Sequence, residues 1–258
     1  MTLLEEFVRA FQVPPAMGPH LHLVVDEQEM ELVVKMNGRA LTLEQVAGMM
    51  EMTPEETEAF LRRAYSRGVV DREIEDDVTL YSPATFYHRL DPLAMYENWG
   101  DIPADARDAV VEWQLQEFIN MWQPVVEEMR EDPDAYHKIP NRDVLLLEEA
   151  LEQVEAATEH VVVPCDCRAI VMACNRMSEV CIRLDEGARL TLEKGHGRRL
   201  TREECKSLVV NAHRAGLMQT GRRAWREHGL FGFCNCCTCD CYPFRASEVV
   251  GMQRQWPR

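Results

Sequence analysis

Nine of the ten cysteines in this 258-residue chain fall in two groups spaced like metal ligands. Cys165, Cys167, Cys174 and Cys181 form the first group, which begins C-x-C-R. Cys234, Cys236, Cys237, Cys239 and Cys241 form the second, in the run F-C-N-C-C-T-C-D-C from Phe233 to Cys241. Five thiols in so short a run cannot all pack as small hydrophobes, because neighbouring side chains leave the backbone in different directions. The chemistry they imply is thiolate coordination. Zinc sites are usually built from separated C-x(2–4)-C pairs, whereas here C-x-C steps and wide intervals dominate. Iron-sulfur clusters tolerate more varied spacing because each thiolate binds a different iron. The spacing therefore favours iron and sulfide, with a zinc-binding scaffold as the alternative.

The elements that must position these thiols sit in a chain with a divided charge. Residues 1–160 carry 12 basic and 34 acidic side chains, whereas residues 161–258 carry 16 and 10, for a net charge of −16. The acidic front repels nucleic acid and anionic membranes, and the basic back can offset the negative charge of metal-thiolate centres. The N-terminus lacks a basic and then apolar leader, and no apolar run reaches the length of a membrane span. Cytoplasmic residence without membrane insertion is expected. Clustered cysteines in a reducing compartment read as metal or redox sites.

Helix punctuation is clear in the front part. Thr42-Leu43-Glu44-Gln45 and Thr53-Pro54-Glu55-Glu56 are capping boxes, the second with Pro at the first helical position. Two helices follow in close succession. Val69-Val70 and Val78–Tyr81 then read as two short strands around a polar loop, Asp71 to Asp77. Helix, turn, helix and hairpin predict a winged-helix domain over 1–100. Its second helix begins with Glu55, Glu56 and Glu58, and its wing carries Asp71, Glu73, Glu75, Asp76 and Asp77 against Arg62, Arg63 and Arg67. Phosphate neutralisation supplies most non-specific DNA affinity, so nucleic acid is not the expected partner.

Residues 101–160 read as connecting helices. Val111, Leu115, Phe118, Trp122, Val125 and Met129 recur at helical steps, with Pro124 expected to kink or end that helix. A second helix is expected from about Asp143 to His160. The helices of 104–130, together with the winged helix, offer a surface for a homodimer. The cysteine domain, 161–258, opens with an apolar strand at His160–Val163 that stops at Pro164 and delivers Cys165 and Cys167 into a loop. Cys205 is set apart: the capping box Thr201–Glu204 starts a helix whose apolar face holds Cys205, Leu208, Val209 and Ala212, which makes Cys205 a core residue. His196 and His213 lie in the same domain as surface residues or cluster neighbours. No G-x-G-x-x-G, P-loop, G-x-S-x-G or H-E-x-x-H motif is present.

The residues Pro164-Cys165-Asp166-Cys167-Arg168, Cys174 and Cys181 continue to Gly197–Glu204, Ala215-Gly216-Leu217 and Cys234-Asn235-Cys236-Cys237. With these the chain resembles 4Fe-4S ferredoxin-like proteins of anaerobic bacteria and archaea, in which a winged-helix-like part precedes a cysteine domain. Many of those proteins continue into a dicluster ferredoxin module with C-x-x-C-x-x-C-x-x-x-C-P motifs, which this sequence does not contain. The resemblance implies a mainly α protein with small β elements and one or two [4Fe-4S] clusters. It also implies one-electron transfer or redox coupling in an anaerobic enzyme system, with a redox partner protein or subunit. The ligand pool is the nine clustered cysteines, and four of them suffice for each cubane. Ligands need not segregate by group. Arg168 and Arg245 are candidates for tuning the cluster, because a nearby positive charge favours its reduced form. A redox-sensing winged-helix regulator and an enzyme with an open iron site are alternative readings.

Overall fold

A computed structural model describes residues 2–133, 135 and 143–252. It is mainly helical with small sheets, and the chain divides into two compact units, Met1–Val111 and Glu112–Arg258. The boundary falls inside one long helix.

The first unit is built from helices whose starts are written locally. Its helices are α1 (Leu3–Ala10), α2 (Glu27–Met36), α3 (Leu43–Met50), α4 (Pro54–Ser66) and α5 (Phe86–Tyr96). The first four all begin with a capping box, from Thr2, Asp26, Thr42 and Thr53. Strands β1 (Val70–Glu75) and β2 (Val78–Pro83) pair antiparallel, with Glu75 opposite Val78. The polar stretch expected as a loop is thus mostly strand. Only Asp76 and Asp77 turn the chain, both at positive φ, as a two-residue hairpin turn requires. Leu41, just before α3, bridges to Tyr81 of β2. Beneath these elements, buried Arg89 donates to the Val24 carbonyl and to Glu97, while Arg67 pairs with Glu97 and with fully buried Glu29.

Helix α6 runs from Ala104 to Glu128. It does not end at Pro124. That residue is solvent-exposed, so the backbone carbonyl that loses its helical partner can take water instead.

The second unit centres on a six-stranded sheet. Its elements are β3 (Asp143–Val144), α7 (Leu147–Ala156), β4 (His160–Pro164), α8 (Asp166–Val171), β5 (Glu179–Leu184) and α9 (Glu186–Glu193). They continue as β6 (Arg198–Arg199), α10 (Arg202–Arg214), β7 (Met218–Gly221), α11 (Trp225–His228), β8 (Gly232–Cys236) and α12 (Tyr242–Val249). The strand order is β3-β7-β8-β5-β4-β6, with every pairing antiparallel. The helix expected from Asp143 starts four residues later, because Asp143 and Val144 pair with Gly221 and Thr220 at the sheet edge.

Helices α7 and α10 share a core with the sheet through Ala150, Val154, Cys205 and Val209, set against Val162, Ile182 and Phe233. Cys205 is fully buried there, as its helical face predicts. Strand residues alternate between faces. With Ile182 and Phe233 committed to this core, Cys181 of β5 and Cys234 and Cys236 of β8 emerge on the opposite face.

Gly232 makes the close approach of β8 to β5 possible. Its φ is +136°, and an added Cβ would come within 2.2 Å of the Ile182 carbonyl oxygen.

Candidate metal centre

Three short segments bring the thiols together on that face. The first is the β4-to-α8 junction. Cys165 ends the extended stretch and caps α8, so Cys167 lies in the first helical turn and not in a loop. The change of direction between them lets a C-x-C pair face one centre. The second is the β5–β8 pair, whose register puts Cys181 beside Cys234. The third is the start of α12, capped by Cys241.

These segments close a ring. Cys165 contacts Cys167 and Cys181, and Cys234 contacts Cys181 and Cys236. Cys241 contacts Cys167 and Cys236. The shifts run in opposite directions round the ring: Cys165 and Cys234 are lowered, and Cys167, Cys181 and Cys236 are raised. Hydrogen bonds from Cys167 and then Cys181 pull the Cys165 thiol from an ordinary 9.0 down to about 3, against the opposing effect of burial. Bonds from Cys181 and Cys236 likewise hold Cys234 well below the usual thiol range. Cys167, Cys181 and Cys236 are pushed up, first by those same bonds and then by burial. Thr220 Oγ1 lies 3.1 Å from Cys236 Sγ and completes the rim.

Arg168 is a cation built into this site. It is 5% exposed, and its Nη1 and Nη2 donate to the Met177 and Asn235 carbonyls at 2.8 and 2.7 Å. Burial works to lower its pKa, but Cys165, Cys237 and Cys181 beside it raise it, so it stays charged. Its buried Nε has no hydrogen-bond partner among the described residues. Arg245 lies one helical turn past Cys241 on α12, its amide donating to the Cys241 carbonyl at 3.1 Å, while its side chain pairs with Glu112 at 3.1 Å and sits over the Tyr242 ring.

The other three clustered thiols form a separate group. Cys174, Cys237 and Cys239 have their sulfurs within 4.8 Å of one another. Asp240, fully buried, reaches Cys174 Sγ at 2.8 Å and Cys237 Sγ at 3.5 Å through Oδ2. Partial burial and then the bond to Asp240 raise the Cys174 thiol to about 11. The structure therefore brings together cysteines from both sequence groups, as six and three, and cuts across the four and five seen along the chain. Cysteine groups this close can bind metal.

Along the chain Asp240 and Asn235 are merely residues that interrupt the cysteine run, and nothing in the spacing marks either as buried beside the thiols. Asn235 is fully buried and donates to the Val180 carbonyl at 2.7 Å. It also accepts from Gln219 at 2.9 Å, and Gln219 in turn contacts His213. This polar chain fixes β8 under the thiols and gives His213 a structural partner. An Asn inside a cysteine run was the signal available for it.

No family model matches the chain, and no curated protein or solved structure is detectably similar to it.

Proposed function

We propose that the second unit holds a [4Fe-4S] cluster on the six-thiol ring and that the protein transfers single electrons or couples redox change in an anaerobic enzyme system. The observation that carries this reading is the convergence of Cys165, Cys167, Cys181, Cys234, Cys236 and Cys241 from three segments onto one sheet face. Six thiols exceed the four that one tetrahedral ion takes. Each ring sulfur contacts its two neighbours along the ring, and a perimeter of this kind suits a centre with several metal atoms.

The buried guanidinium of Arg168 beside Cys165 and Cys181 fits the same group, since a fixed positive charge helps set cluster potential. Such a cluster supplies reversible one-electron storage when bound. The chain's own residues supply the ligands and exclude water, through buried Cys165, Cys181, Cys236 and Cys241. Arg168 offsets charge beside them.

The first unit fits a winged-helix module used for docking. The α3–α4 pair, the β1–β2 hairpin and the Leu41–Tyr81 bridge support that topology. Its three candidate DNA-facing arginines are engaged: Arg62 with Glu58, Arg63 with Asp26, and Arg67 with Glu29 and Glu97. A redox partner protein is the ligand proposed for it.

The test is an anaerobic titration of the purified full chain with a low-potential reductant. The proposal expects a broad visible absorption that bleaches with one electron per cluster and a paramagnetic signal in the reduced form. A colourless protein that takes up no electrons would exclude it.

A further inference from the structure

The three thiols outside the ring form a more compact site than the ring itself. Cys174, Cys237 and Cys239 are mutually within 4.8 Å. A tetrahedral ion with metal–sulfur bonds of about 2.3 Å holds its sulfurs about 3.8 Å apart, so one ion can reach all three after a small contraction. Asp240 adds an oxygen donor. Its carboxylate is fully buried, and Oδ1 is fixed by the Ala173 amide at 3.0 Å, so Oδ2 faces Cys174 and Cys237. The amide bond orients the carboxylate in the way outer hydrogen bonds orient metal ligands. A buried carboxylate beside three potential thiolates is costly unless a cation joins them. Cys239 is exposed and gives an ion a path in from solvent.

We propose that Cys174, Cys237, Cys239 and the Asp240 carboxylate form a second, mononuclear site for one divalent ion of the zinc or ferrous class, distinct from the ring that holds the cluster. Cys237, Cys239 and Asp240 come from a single turn after β8, and Cys174 comes from the loop after α8. The ion ties these two loops together. Arg168 reaches Cys237 as well as Cys165 and Cys181, so one side chain borders both centres.

The ion is measured as metal in excess of sulfide. Full-length protein purified anaerobically is assayed for zinc, iron and acid-labile sulfide per chain, alongside Asp240→Ala and Cys239→Ser. The second variant changes an exposed side chain and leaves the fold intact. The expected result is about one zinc or iron per chain beyond the iron that matches sulfide. Both variants should lose that ion while keeping wild-type sulfide and visible absorption, and whether zinc or iron falls identifies the ion. The inference is overturned if wild-type protein has no metal beyond its sulfide, if both variants keep the extra ion, or if sulfide falls together with the metal. Should the wild type contain no sulfide yet lose one ion in both variants, the cluster reading fails and this site stands.

Discussion

Arg168 borders both groups of thiols, and its charge should be felt in the electron affinity of whatever they bind. A positive charge favours the reduced, more negative state, so Arg168→Gln should move the cluster potential downward by on the order of 60 mV, the one-electron equivalent of about 1.4 kcal/mol. Arg168→Lys, which keeps the charge and loses the fork, should move it less. Protein-film voltammetry reads both. The cysteines themselves divide by role. Cys181→Ser should lower iron and sulfide incorporation, because Cys181 links Cys165 to Cys234 in the ring. Cys205→Ser should leave metal content unchanged and cost about 1–3 kcal/mol in denaturant unfolding, since it buries a hydroxyl in an apolar core. Burial alone raises the Cys205 thiol to about 12, so it stays protonated and inert. At this scale the sequence was legible for composition but not for partnership. Cys205 could be separated from the others because helical spacing is local. The division of the remaining thiols into six and three depends on strand register between β5 and β8, and spacing along the chain carries no trace of it.

Capping boxes were readable at the element scale because each is closed within four residues, and those at Thr42, Thr53 and Thr201 all start the expected helices. The strands β3, β7 and β8 were not readable. They are short, and their partners lie far along the chain. The polar run Asp71–Glu75 hid a strand because it is mostly solvent-facing and so lacks an apolar alternation. One residue that holds the thiol-bearing strands in place is Asp185, at the end of β5. Its Oδ1 accepts from Thr158 N, Thr158 Oγ1 and Glu159 N at 2.8, 2.9 and 3.0 Å, while its own φ is +43°. Partial burial works to raise its pKa, and these hydrogen bonds outweigh it, so the carboxyl is held below its ordinary 3.8. Its contribution to stability is therefore present above that value and lost as pH falls through the depressed one. Asp185→Ala should cost about 1–2 kcal/mol at neutral pH, and the difference from wild type should shrink in acid unfolding curves at the lowest pH. Gly232→Ala should do more, about 2 kcal/mol or above, by forcing a side chain into the Ile182 carbonyl at a φ that disfavours it.

The whole molecule joins an acidic part to a basic one. The two compact units divide at Val111, within a helix and well before the charge boundary near residue 160. The helix read as a connector, α7, shares the core of the cysteine-bearing sheet. Among the described residues no helix is long and apolar enough to cross a membrane. Exposed Glu55, Glu56, Glu73, Glu75, Asp76 and Asp77 cover the start of α4 and the hairpin tip. A DNA gel-shift in oxidised and reduced conditions should therefore show no retardation in either state; redox-dependent retardation would favour a regulator. The central claim is that the thiol ring holds an iron-sulfur cluster. Acid-labile sulfide and iron per chain after anaerobic purification test it most directly. The account predicts about four sulfide per chain with at least as much iron, and zinc without sulfide would contradict it.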